Sequence, residues 1–145
     1  MEHHGIVDKP RFADNQLELG SEQPPAFKKL SGFFDKIKAE DIHVHITPTG
    51  LKFYTEDNSG LLRVMAVVRG DRMNHYYCEK EFWLGLNQSH VSKIFSSINK
   101  SFHRIKLYYR PTEMVLHIVL SNTTLNKDNC FPTPVSSPMP NPQWL

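Results

Sequence analysis

The chain has 145 residues, 39% of them hydrophobic and 11% aromatic, which is enough for one core of ordinary size and one domain. Its 17 lysines and arginines face 15 aspartates and glutamates, so global basicity is excluded as a route to nucleic acid and any such function must rest on local clustering. The two cysteines, Cys78 and Cys130, lack zinc-ligand pairing and disulfide-scaffold density, no apolar run nears the ~20 residues of a bilayer span, and Met1 to Gly5 has no signal-peptide character. A soluble protein of a reducing, intracellular compartment is expected.

Residues 1–15 are polar, contain Pro10 and show no sustained period, which predicts a flexible N-terminal extension. Leu17 and Leu19 suggest a short strand, and Pro24-Pro25 then signal a helix start, because proline is tolerated in a first helical turn. The spacing predicts a helix over 25–38, with Phe27, Leu30, Phe34 and Ile37 on one stripe and Lys28, Lys29 and Lys36 off it. Ile42, Val44 and Ile46 alternate into the Pro48-Thr49-Gly50 turn and a return strand over 51–55, a hairpin pattern. Strand-like runs follow at 62–68, 74–78 and 82–86, separated by turn residues such as Asp57-Asn58-Ser59-Gly60 and Gly70-Asp71.

A second helix is predicted over 89–98, where Val91, Ile94, Phe95 and Ile98 repeat the apolar period and Ser89, Lys93, Ser96 and Lys100 form the opposite stripe. Strands over 104–110 and 114–121 complete the core. The order of elements predicts an α+β domain over 16–135, an antiparallel sheet with two helices on one face. Residues 136–145 read as a proline-rich, extended, linker-like tail.

No catalytic constellation emerges. Glu56 and Asp57 fall in a turn, Glu79 and Glu81 flank a strand junction, and no serine or cysteine nucleophile motif is present. His43 and His45 share one side of a strand but lack a third ligand, so no metal is expected; the scattered glycines form no phosphate loop, and no cofactor is expected. Asn122-Thr123-Thr124 and Arg69-Gly70-Asp71 are read as a chance sequon and a turn. What remains is lysine: Lys28, Lys29, Lys36, Lys38, Lys93 and Lys100 outnumber Asp35 and Glu40 in and around the two helices. Taken alone, that pattern also describes the solvated face of an ordinary amphipathic helix. Helices packed side by side would gather the lysines into a basic strip suited to sequence-independent phosphate contact.

The run Tyr77-Cys78-Glu79-Lys80-Glu81-Phe82-Trp83-Leu84-Gly85-Leu86-Asn87, followed by Val91-Ser92-Lys93-Ile94-Phe95, resembles the signature of the proliferating cell nuclear antigen family of sliding clamps. In that family a strand ending in Gly-x-Asn leads into a helix carrying Ser-Lys-Ile. The Phe27-Lys28-Lys29-Leu30 helix and the Thr49-Gly50-Leu51 hairpin also fit. Within the family the chain is similar to the clamp-like proteins of African-swine-fever-type large DNA viruses, notably in Asn74-His75-Tyr76-Tyr77.

The resemblance implies a non-enzymatic processivity module whose helices line a ring around duplex DNA. Lys28, Lys29 and Lys93 match family positions that meet phosphates, and helix periodicity adds Lys36 and Lys100. It implies DNA polymerase and other replication or repair proteins as partners, docked at an apolar pocket near Leu61 and Met139, and action at replication sites in the host nucleus or a cytoplasmic viral factory. Cys130, Phe131 and Val135 correspond to the strand at the subunit edge, where Pro132 and Pro134 remove two donors from the same side. Subunit pairing is therefore expected to be weak or absent, and the chain ends where a family linker would lead into a second domain. A truncated or split clamp serving as a protein-interaction module, without encircling DNA, is the alternative.

Overall fold

The structure, a computed structural model, describes residues 5–136 and 142–145. In chain order the elements are β1 (Leu17–Ser21), α1 (Pro24–Lys36), β2 (Asp41–Thr47), β3 (Gly50–Glu56), β4 (Arg63–Arg69), β5 (His75–Tyr77), β6 (Phe82–Asn87), α2 (Gln88–Phe95), β7 (Arg104–Arg110), β8 (Val115–Asn122) and β9 (Lys127–Pro134). The strands are antiparallel and divide into a five-stranded sheet, β5-β1-β7-β8-β9, and a four-stranded sheet, β4-β3-β2-β6. This is the expected α+β arrangement of antiparallel strands and two helices, with the strands shared between two sheets.

Alternation sets the faces. In β7, Ile105, Leu107 and Tyr109 are buried while Lys106, Tyr108 and Arg110 stay partly exposed. α1 contributes Phe27 and Phe34, and α2 contributes Val91 and Phe95, to one core with the inward faces of both sheets. Phe27 and Phe95 meet edge to face at 6.1 Å, joining the helices. Each fully buried aliphatic side chain of this core, such as Ile105 or Leu120, contributes about 1.5–3 kcal/mol by leaving water.

Both helices stop earlier than their periodicity suggests. After α1, Lys38 takes a left-handed conformation (φ 58°), its N–H bonds Asp35 O and the Ala39 N–H bonds Phe34 O. This is the paired-bond ending that usually employs glycine. Lys38→Gly should therefore raise stability by about 0.5–1 kcal/mol, read as a shift in the urea midpoint. After α2, the Ser96 and Ser97 hydroxyls bond the carbonyls of Lys93 and Ile94, offering the backbone an alternative to further helix. Lys100 consequently lies in a turn beyond α2, off the helical stripe predicted for it.

Both flanks of the domain make contacts. Ile6 bridges Tyr76, the Val7 N–H bonds Tyr76 O, and the Tyr76 N–H bonds Gly5 O. The Glu18 carboxylate accepts hydrogen bonds from the Arg11 N–H (2.8 Å), the Phe12 N–H (3.1 Å) and the Asn15 side-chain amide (2.7 Å), and pairs with His75 Nε2 at 2.8 Å. Residues 5–15, read from composition as a loose extension, thus cross the outer surface of β1 and β5, and all five residues of β1 are buried. At the other end Ser136 bridges Gly85, and the Trp144 ring meets Tyr54 edge-on with Arg63 5.4 Å above it. Met139 lies outside the described residues.

Candidate nucleic-acid interface

α1 and α2 are clasped by a polar node. Gln88, the first residue of α2, is buried and donates from Nε2 to Ser31 O (3.0 Å), Ser31 Oγ (3.1 Å) and Asp35 Oδ1 (3.0 Å). Ser92 Oγ donates to Asp35 Oδ2 at 2.7 Å. Asn87 caps α2 by accepting from the Ser89 and His90 N–H groups. These bonds fix the helices side by side and engage both oxygens of Asp35, the only acid within either helix.

The lysines stand around this node. Lys29, Lys36 and Lys93 are exposed, and Lys29 and Lys36, seven residues apart, share the outward side of α1 opposite Phe27 and Phe34. Lys93 holds the corresponding position on α2, away from Val91 and Phe95. Lys28 reaches across the helix pair and donates from Nζ to Ile98 O at 2.8 Å. It therefore ties α1 to the segment that follows α2, with two N–H donors left over. The geometry brings Lys28, Lys29, Lys36 and Lys93 onto the helix pair and leaves Lys100 in the turn that follows. The Gln88–Asp35–Ser92 clasp is not legible from helix periodicity; the only local sign is the Asn87-Gln88-Ser89 start of α2.

The other predicted residues lie elsewhere. Leu61 is the most exposed large hydrophobic residue described, at 90%. Its turn is built by Asp57, whose carboxylate accepts from the Leu62 N–H and Ser59 Oγ and is held below the usual range by those bonds. Cys130 is exposed and Phe131 half-buried in β9, whereas Val135 falls just beyond the strand and packs against the core. β9 is a sheet edge, with Pro132 opposite His117 and Pro134 opposite Val115. Since proline cannot donate, the ladder to β8 runs through residues 127, 129, 131 and 133, and the outer edge offers no donor at 132 or 134.

His45 stacks on Trp83 at 4.3 Å with its Nε2 3.4 Å from Glu81. Among the described residues, no three of His, Cys, Asp and Glu converge as a metal set would. Burial pushes the Cys78 thiol up to about 11, against the lowering effect of a backbone hydrogen bond from Lys80. No helix among the described residues is long and apolar enough to cross a membrane.

Comparison with known proteins bears on the same elements. Residues 16–133 match the model of the proliferating cell nuclear antigen N-terminal domain. The uncharacterized protein E301R of African swine fever virus is 34% identical over 138 residues in isolates from Malawi and Kenya, covering 94% of this chain and 46% of the viral protein. The crystal structure of PCNA from Thermococcus kodakaraensis superposes with a TM-score of 0.74 at 15% identity, covering 88% of this chain and 50% of that one. The chain thus spans about half the length of the relatives it matches. With two clasped helices, antiparallel sheets and a family match from β1 into β9, the chain belongs to the proliferating cell nuclear antigen family and carries its N-terminal clamp domain.

Proposed function

We propose that this chain is a sliding-clamp-type processivity module that holds duplex DNA without sequence specificity and tethers a DNA polymerase or other replication or repair protein, working without chemistry inside the cell where DNA is copied. The observation that carries the reading is the helix pair: Lys28, Lys29, Lys36 and Lys93 surround a clasp in which the one helical acid, Asp35, is already engaged. Cations on a rigid support with little opposing charge suit phosphate contact, which carries no sequence information. Lys100, in its turn, is a peripheral member of the strip.

Leu61 is the proposed partner-side anchor, an apolar side chain held out to solvent by a hydrogen-bonded turn; Met139 is its proposed companion. The donor-poor outer edge of β9, at Cys130 to Pro134, supports weak or absent subunit pairing. That edge, together with Leu61, favours the second reading: a clamp domain that docks partner proteins without encircling DNA.

DNA binding separates the two. In anisotropy titrations on a duplex at stepped salt, each phosphate contact adds ~0.9 to the slope of log K against log salt. The combined Lys29→Glu, Lys36→Glu and Lys93→Glu variant should therefore lose about 2 to 3 units of slope, while Leu61→Ser keeps the parent slope. A slope unchanged in the lysine variant removes the helix pair from DNA binding and leaves the protein-docking reading.

A further inference from the structure

The face of the five-stranded sheet turned away from the helices holds a trough of about 450 Å3. Side-chain size in register explains it. His75, Gly20, Lys106, Val119 and Cys130 lie side by side across the five strands. Gly20 has no side chain, so the row dips between His75 and Lys106. One wall is the next row, where Tyr108 stacks on His117 at 4.6 Å and the Arg110 guanidinium lies 5.0 Å from the Tyr108 ring centre. Arg11 and Phe12, held down through Glu18, border the recess as well.

The charges in the trough are not all neutralised. Arg104 pairs with Glu22, and Arg110 is shared between Asn15 and Glu113. Arg11 and Lys106 make no ion pair among the described residues. Two cations without an ion pair therefore line a concave surface that also holds Tyr108 and the carboxylates of Glu18, Glu22 and Asp128.

We propose that this trough docks a short, extended, acidic segment of a partner protein, its carboxylates meeting Arg11 and Lys106 and an aromatic side chain lying against Tyr108. Five strands ~4.8 Å apart span roughly 20 Å, the length of about six extended residues at ~3.3 Å each. A nucleic-acid strand fits less well, because Glu22 and Asp128 line the same trough and oppose a ligand charged at every unit. A peptide can place neutral residues at those points. The site goes beyond the DNA reading, since it lies on the other face of the sheet from the helix lysines, and its test is independent of DNA binding.

Cys130 supplies the probe. It is exposed at the end of the row, whereas Cys78 is buried with its thiol pushed up to about 11, so an environment-sensitive thiol dye at neutral pH labels Cys130 selectively. The labelled protein is titrated with Ac-Ser-Glu-Phe-Asp-Ser-amide, with the uncharged Ac-Ser-Gln-Phe-Asn-Ser-amide, and with an eight-nucleotide oligothymidylate. Calorimetry on unlabelled Cys130→Ser protein repeats the series without the dye. The acidic peptide should bind saturably and at least tenfold more tightly than the other two, and Lys106→Glu or Arg11→Glu should each weaken it at least tenfold with melting behaviour unchanged. Lys93→Glu, on α2, should leave it intact. Equal binding of the uncharged peptide, tighter binding of the oligothymidylate, or unaltered affinity in Lys106→Glu would overturn the proposal.

Discussion

Replacing Gly50 by alanine should destabilise the protein by about 3 kcal/mol or more, seen as a large drop in the urea midpoint with the slope retained. Gly50 opens β3 opposite Arg69, with φ at 153°, where side chains are rarely tolerated. A Cβ there would stand 2.3 Å from Val68 O and 3.0 Å from Gly70 N, both backbone atoms that cannot rotate away. The same corner holds the two sheets together. Gly70 N–H bonds Thr49 O, and the buried Tyr76 of β5 donates its hydroxyl to Thr47 O at 2.6 Å. Relieving the clash by moving β4 would therefore strain the junction of the sheets as well as one hairpin. Gly32→Ala is the matched comparison. A Cβ at Gly32 meets nothing within 4 Å, so that variant should be neutral or up to about 1 kcal/mol more stable.

Glu18→Ala should cost about 2–4 kcal/mol and free residues 5–15 from the sheet, detected as faster hydrogen exchange at the Arg11 and Phe12 amides. Without the carboxylate, two backbone N–H groups, the Asn15 amide and His75 lose a common partner. The same group sets a pH dependence. Burial raises the Glu18 pKa, but the bonds from Arg11, Asn15, His75 and Phe12 outweigh it and hold the carboxyl below its usual 4.5. A folded-state value below the unfolded one means that the folded protein binds fewer protons in that window. The stabilisation is then complete above about pH 4.5 and is lost as pH falls through the folded value. Glu113, exposed and lowered mainly by its bond to His117, acts in the same direction. Acid titration of thermal stability should thus be shallower in Glu18→Ala than in the parent, and an identical acid limb would rule out this carboxylate as a main source.

Much of the fold was written in short-range pattern. The alternation of Ile105, Leu107 and Tyr109 with Lys106, Tyr108 and Arg110 predicts β7 at its observed bounds, and Pro48-Thr49-Gly50 predicts the hairpin that β2 and β3 make. The three- and four-residue spacing of apolar positions predicts both helices and leaves Lys29, Lys36 and Lys93 outward, as they stand. Such periods hold because each residue's direction from the backbone follows from its own element. The pattern failed where a side chain competes with the backbone. Ser96 and Ser97 end α2 early and strand Lys100 beyond it, and Lys38 takes a left-handed position that glycine normally fills.

β1 shows the limit most clearly. Leu-Glu-Leu-Gly-Ser alternates as a strand with one wet face should, yet every residue is buried, because residues far along the chain and the N-terminal segment close over Glu18. By itself the sequence determined the elements, their apolar faces, the surplus of helix lysines and, through the Tyr77 to Phe95 run, the family. Only the tertiary structure decided the division into two sheets, the engagement of Asp35 by Gln88 and Ser92, and the trough at Gly20 and Lys106. Each of these depends on which distant strands become neighbours and in what register. A local period carries no record of that, because register is set by the summed packing of the whole core.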